Sequence, residues 1–341
     1  MSSQPGLRSR PVSATVAMLD LHPAPADMAR LVIEGLSRAP KQLPAWFLYD
    51  HEGSRLFDAI CEQPEYGLTR TETALLNRHA PAMAAALGEG VLVEFGAGSA
   101  RKVSPLLEAL TPPGYVALDI SAEHLQQACQ NLQQRHPTIP VLGICCDYSL
   151  LQQLPQQPLL ADRRRLGFYP GSSLGNFDPA EAVTLLGQFA RLLGDDGRLL
   201  IGIDQPQPAA AMEAAYNDRA GLSAAFARNL LVRLNRELCG DFDPASFRYE
   251  AHWQAQHSRI AMALVSRHDQ EVSLAGARWH FAAGEALISE YSHKYSPEAF
   301  RTLAAAAGWQ ALQRWGADDG SFSLHLLQPA PGASAPGRLS V

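Results

Sequence analysis

The sequence predicts an α/β fold: a mostly parallel sheet flanked by helices, with a smaller α+β lobe inserted near its end. Three observations predict it. Short apolar runs alternate with helix-period segments from Val91 to Asp204, a glycine-rich turn closes the first of these runs, and the alternation stops abruptly after Asp204. Sheets of this kind use right-handed crossovers and bind ligands outside the carboxyl ends of their strands.

Taken in order, residues 1–20 and 329–341 are rich in Ser, Pro, Gly and Ala and read as flexible tails. From Met28 to Arg78 the pattern is helical, with Leu31, Ile33 and Leu36 in one segment and Leu56, Phe57 and Ile60 in the next; residues 21–69 form the N-terminal helical part of the substrate lobe. Residues 70–204 and 296–328 make the nucleotide-binding domain. Its strands are Val91–Phe95, Val116–Ile120, Val141–Cys146, Leu166–Tyr169 and Arg198–Asp204, and its helices are Lys102–Leu110, Ala122–Arg135 and Pro179–Leu193. Residues 205–295 are the lobe, with helices around Pro208–Glu237 and strands Phe247–Gln256, Ile260–Ser266 and Glu271–Leu274. A helix, Pro297–Ala307, and strands Trp309–Ala317 and Phe322–Leu327 around Asp318-Asp319-Gly320 close the sheet with an antiparallel edge.

The turn decides which nucleotide is bound. A dinucleotide turn reads G-x-G-x-x-G and places a pyrophosphate on the helix N-terminus. Here the turn is Glu94-Phe95-Gly96-Ala97-Gly98, and Arg101 stands where the third glycine would be. That suits a ligand without a pyrophosphate, such as S-adenosylmethionine (SAM). Gly96 and Gly98 let backbone approach it, Asp119 ends the second strand with two acceptor oxygens for a ribose, and Lys102 can meet a methionyl carboxylate.

Composition narrows the function further. The net charge of −6 and the absence of a basic run exclude a phosphate-tracking surface and leave small molecules as partners. Five cysteines, an odd number without C-x-x-C pairing, fit reduced thiols in cytoplasm. Prolines 11, 23 and 25 break any signal-peptide core, no apolar run is long enough to span a membrane, and the histidines form no H-x-x-x-H or H-E-x-x-H pattern, so no metal is expected.

Several separated motifs then resemble one family. They are Tyr49-Asp50-His51-Glu52-Gly53-Ser54-Arg55-Leu56-Phe57-Asp58, Pro64-Glu65-Tyr66, Thr69-Arg70-Thr71-Glu72, the glycine turn, Leu118-Asp119-Ile120-Ser121, Pro170-Gly171-Ser172-Ser173-Leu174-Gly175-Asn176, and Glu290-Tyr291-Ser292-His293-Lys294-Tyr295. In order and spacing, over roughly residues 40–328, they resemble the SAM-dependent histidine-specific methyltransferases, which trimethylate the α-amino group of L-histidine to hercynine on the route to ergothioneine. The resemblance implies a Rossmann-like SAM-dependent methyltransferase sheet. It implies that Glu94, Gly96, Gly98, Lys102, Asp119, Asp147 and Tyr148 hold SAM, the last two around the adenine. It gives the imidazole to Tyr66, Glu290 and Ser292, the carboxylate to Asn176 and Tyr216, and places Gly171 and Met262 along the substrate pocket, with Tyr49 beside the amine as the catalytic residue, where either it or water assists deprotonation. Glu290 and Ser292, two apart, share a face of any extended segment. Asn176 follows Gly175 near a helix start, so capping competes with binding there. The resemblance leaves two alternatives, methylation of another amino acid such as tryptophan and a SAM-binding regulator without turnover. A monomer is expected.

Overall fold

A computed structural model describes residues 16–21 and 25–331. In chain order its strands are β1 (Ala17–Leu21), β2 (Lys41–Gln42), β3 (Val91–Phe95), β4 (Tyr115–Asp119), β5 (Val141–Cys146), β6 (Arg165–Tyr169), β7 (Arg198–Asp204), β8 (Phe247–Gln254), β9 (Arg259–Ser266), β10 (Gln270–Leu274), β11 (Ala277–Phe281), β12 (Ala286–His293), β13 (Trp309–Gly316) and β14 (Phe322–Pro329). The helices are α1 (Pro25–Leu36), α2 (His51–Cys61), α3 (Leu68–Leu87), α4 (Ser104–Leu110), α5 (Ala122–Arg135), α6 (Pro179–Leu193), α7 (Ala209–Ala215), α8 (Leu222–Leu238) and α9 (Pro297–Ala306).

The large sheet runs β1-β5-β4-β3-β6-β7-β14-β13. Its first six strands are parallel, and β14 enters antiparallel between β7 and β13. This is the parallel α/β sheet with an antiparallel edge that the βα alternation and the last two strands predict. Strand order reverses across β3, so the crevice for a ligand opens at the carboxyl ends of β3, β4 and β6. Every residue of β3 and β5 is buried, as the unbroken apolar runs require of strands covered on both faces. One face packs on Leu76, Met83, Leu107, Leu125 and Leu132, the other on Leu185, Phe189, Phe300 and Trp309.

A second sheet, β2-β12-β9-β8, packs around its own core with Phe47, Phe226, Leu230, Phe247, Leu264 and Leu287. The β10–β11 hairpin stands beside it. Strands β2, β11 and β12 carry no sequence expectation as strands.

The expected tails need correcting. Ala17–Leu21 is a strand paired in register with Leu142–Cys146, so the sheet begins inside the proposed N-terminal tail. Met18 explains the docking: its sulfur fills the space beside Gly143, 2.4 Å from where a Cβ would stand. At the other end β14 continues to Pro329, and the rest of both tails, 1–15 and 332–341, lies outside the described residues. Two smaller corrections follow from packing. Ile33 is exposed while Val32 takes the core position of α1, and α4 starts at Ser104, leaving Lys102 in the turn ahead of it.

Candidate active site

A cavity of 1080 Å³ opens at the carboxyl ends of β3, β4 and β6, and its wall includes Tyr49, Tyr66, Glu94, Gly96, Gly98, Lys102, Asp119, Asp147, Tyr148, Gly171 and Asn176. The glycine turn is shaped for close approach. Gly96 and Gly98 have φ of +70° and +51°, conformations in which a side chain is strained, and a Cβ on Gly98 would face open space. The Gly98 N–H donates to Asp119 Oδ2 at 2.8 Å and the Ser121 N–H to Oδ1 at 3.0 Å. Each carboxylate oxygen therefore keeps a lone pair for a ribose hydroxyl. Burial pushes this carboxyl up while the two N–H donors pull it down.

Tyr148 closes the turn from the other side. Its hydroxyl oxygen and ring edge lie 3.5 and 3.6 Å from where a Gly96 Cβ would stand, and the hydroxyl meets Tyr169 Oη at 3.2 Å. Asp147 Oδ1 accepts from the Ser149 N–H at 2.9 Å and hydroxyl at 2.6 Å, which fixes its carboxylate at the end of β5. Glu94, buried within β3, accepts from Tyr115 Oη at 2.6 Å; burial, opposed by that hydrogen bond, pushes its carboxyl up to about 8.

A buried acid without an assigned role organises the next part of the wall. Glu72, on α3, accepts from Lys102 Nζ at 2.8 Å and from the Gly171 N–H at 2.9 Å with both oxygens. It sits against β7 where residue 202 is glycine; a Cβ there would stand 2.3 Å from its Oε1. Lys102 thus reaches the cavity with one of its three donors committed. The Gly171 amide is committed as well, and Gly171 offers the cavity its left-handed backbone rather than a donor.

The aromatic side of the site comes from the N-terminal helices. Asp50 caps α2 by accepting from the Gly53 N–H at 2.8 Å, and it also holds Asn229 and Arg236, each at 2.7 Å. Tyr49, its neighbour, packs edge-on against Phe57 and Phe226 with centroids 5.6 and 5.3 Å away. Tyr66 packs edge-on against Phe57 and Tyr216. Burial and the nearby Glu290 carboxylate hold the Tyr49 phenol well above 10.

Behind Phe57 and Tyr66 is a smaller cavity of 30 Å³, lined by Tyr216, Tyr249, Met262 and Glu290 among others. Met262 faces Glu290 across the β9–β12 register. Asn176 and Glu290, expected at opposite ends of the substrate, are bonded to each other: Asn176 Nδ2 donates to Glu290 Oε1 at 2.8 Å. Asn176 does not cap a helix; it ends a 3₁₀ turn, Ser173–Asn176, and Asp178 stands at the start of α6. Burial, opposed by Lys294, pushes the Glu290 carboxyl up to about 8. Ser292 lines neither cavity. Its hydroxyl lies 2.8 Å from Tyr216 Oη, and Lys294 Nζ donates to both.

Glu72, Asp204 and Lys294 are buried charged residues beside the site that received no role from the sequence; Glu72 holds Lys102, and Lys294 Nζ lies against Asp204 Oδ2. Glu72 and Lys294 stand inside quoted motifs, and Asp204 ends β7 as Glu94 and Asp119 stand at the ends of theirs; position was the available signal. Among the described residues no group of three or more His, Cys, Asp or Glu could hold a metal ion. No described helix is long and apolar enough to cross a membrane.

A family described as histidine-specific, SAM-dependent methyltransferases matches residues 28–329. The histidine N-alpha-methyltransferase of Mycolicibacterium smegmatis is 36% identical over 305 residues, 88% of this chain and 94% of that protein. That of Mycobacterium tuberculosis is 34% identical over 306 residues, again 88% and 94%. Ergothioneine biosynthesis protein 1 of Neurospora crassa is 32% identical over 299 residues, 84% of this chain and 33% of that longer protein.

Proposed function

The chain belongs to the histidine-specific, SAM-dependent methyltransferase family, and from that premise we propose that it trimethylates the α-amino group of L-histidine to give hercynine, in the ergothioneine pathway. One observation carries the reading. A single cavity joins the glycine turn and Asp119 to Tyr49, Tyr66 and Asn176, so a methyl donor and an amino acid can meet in one space.

SAM, when bound, supplies an electrophilic methyl on its sulfonium. The residues present suit it: Asp119 has lone pairs left for the ribose, Gly98 leaves room for the ligand, Lys102 has donors left for the carboxylate, and Asp147 and Tyr148, which line the cavity after β5, would flank the adenine. Histidine would enter from the other side of the cavity past Tyr66 and Asn176, its carboxylate toward Asn176 and Tyr216 and its ring reaching toward Tyr66 and, beyond the cavity wall, Glu290 and Ser292. Room for it along Met262 requires the 30 Å³ space to widen.

Catalysis here is mainly placement, since an amine lone pair in line with a methyl sulfonium needs no further activation. The α-amine, with a reference pKa of about 8, must lose a proton before each of three transfers. Tyr49 keeps its own proton at neutral pH, so it steers the amine as a neutral hydrogen-bond partner while water takes the proton. Each transfer breaks the sulfonium C–S bond, forms one N–C bond and releases S-adenosylhomocysteine. The five unpaired cysteines, three of them buried, support a cytoplasmic enzyme; we read it as a monomer acting on small molecules alone.

Incubation with SAM and a panel of amino acids, followed by mass spectrometry, tests the function. Gains of one to three methyl groups on histidine are expected. Gains on tryptophan with histidine untouched, or no gain at all, would reject it.

A further inference from the structure

Lys294 is fully buried and lines neither cavity, yet all three of its donors are used next to residues read as substrate contacts. Nζ lies 2.5 Å from Asp204 Oδ2, 2.6 Å from Tyr216 Oη and 2.9 Å from Ser292 Oγ. An ammonium has three N–H donors and accepts nothing, so both hydroxyl oxygens must accept from it. The two hydroxyls are also 2.8 Å from each other, a contact that uses one of their two protons. One proton is left over. Toward a ligand this cluster is therefore a hydrogen-bond donor and a poor acceptor, whichever oxygen carries the spare proton.

Glu290 stands two residues along β12, with Oε1 taken by Asn176 and its other oxygen left to accept. We propose that Lys294, anchored by Asp204, is a positioning residue that makes the Tyr216–Ser292 pair give its one spare proton to the ring, leaving the substrate carboxylate to Asn176, so that the site takes histidine with a neutral imidazole: one ring nitrogen accepts from the hydroxyl pair and the other gives its N–H to Glu290. This rests on the reading of histidine as substrate. An imidazolium, with two N–H groups, would aim one of them at oxygens already filled by Lys294, and a buried donor left unpaired is costly. Burial, opposed by Lys294, pushes Glu290 up to about 8, so accepting the ring N–H requires this carboxyl to give up its proton on binding. Tyr49, Tyr66 and Tyr249, the phenols around this cluster, are raised by burial and do not titrate between pH 6 and 8.

Two measurements test it. Nitrogen NMR of ¹⁵N-labelled histidine bound to the enzyme with S-adenosylhomocysteine, at pH 6 to 8, is expected to show one pyridine-type and one protonated ring nitrogen throughout. Two protonated nitrogens overturn the proposal. The second uses the double variant Asp204→Asn/Lys294→Met, which removes both buried charges together and so avoids an orphaned carboxylate. Its KM for histidine at pH 8 is expected to rise about tenfold, the scale of one hydrogen bond, with kcat and SAM affinity little changed. Its KM should also lose the rise below pH 6.5 expected of the wild type. A variant with the wild-type KM and pH profile overturns the role of Lys294, whereas wild-type enzyme that adds no methyl to histidine overturns the underlying reading as well.

Discussion

Glu94 and Glu290 are carboxyls whose environment works against their charge, and both are pushed up to about 8 by burial. Their ordinary value is 4.5, so between pH 4.5 and about 8 the folded protein holds protons that the unfolded chain has released. The stabilising contribution is full below pH 4.5 and is lost as pH rises to about 8. Glu94→Gln removes this dependence at one site while keeping an acceptor for Tyr115. Its melting temperature relative to wild type should therefore climb between pH 5 and pH 8, a trend that differential scanning calorimetry reads directly; a constant difference would mean that Glu94 stays ionised. Glu290→Ala probes binding instead. Above pH 8, where this carboxyl is ionised, it should weaken histidine by about 1.5–3 kcal/mol, the scale of a charge-assisted hydrogen bond, with SAM affinity little changed in titration calorimetry. Equal losses for both ligands would make Glu290 structural. At this scale the sequence was informative about residue type and poor about pairing. Asp119 could be placed because it ends a recognisable strand, whereas the Asn176–Glu290 bond spans 114 residues and leaves no local trace.

Among the elements, those with strong periodicity were legible: β3, β5, α5, α6 and β7 have the ends that the apolar pattern gives them. Strand β12 was not, because Ala286–His293 mixes apolar residues with Ser289, Glu290 and Ser292, all buried, so its inward face does not read as hydrophobic. The turn it supports depends on a single small residue. A Cβ on Gly175 would stand 2.5 Å from the His293 carbonyl oxygen and 3.1 Å from its nitrogen, so the Ser173–Asn176 turn lies directly on the β12 backbone. His293 Nδ1 holds the same turn from the side, 3.0 Å from the Gly175 carbonyl. Gly175→Ala must separate the two elements and carry Asn176 away from Glu290, since neither backbone can yield as a flexible side chain does. We expect the KM for histidine to rise about tenfold or more, equivalent to about 1.4 kcal/mol, with SAM affinity held within about twofold. Parallel loss of SAM binding would show that the turn serves the whole cavity rather than its substrate half.

For the molecule as a whole, the order of the large sheet leaves β5 with β1 as its outer neighbour, and β5 carries Asp147 at its carboxyl end. An all-buried apolar strand left at a sheet edge is a template for pairing with other chains, and β1 covers it with five paired residues. The sequence hid this because Ala17–Leu21 follows a stretch of tail-like composition; only pairing identifies it as a strand. Removing residues 1–21 takes away that cover and the Met18 contact at Gly143 while leaving the glycine turn, Asp119 and the second sheet untouched. Loss of about 2 kcal/mol of edge packing should lower the melting temperature by about 3–6 °C. Aggregation on heating should increase, because Val141–Cys146 is then exposed, and light scattering during the melt measures it. Histidine methylation at low temperature should persist, since neither ligand wall includes a residue of β1. A truncated protein that melts and scatters like the full chain would mean that α5 alone is enough to protect β5.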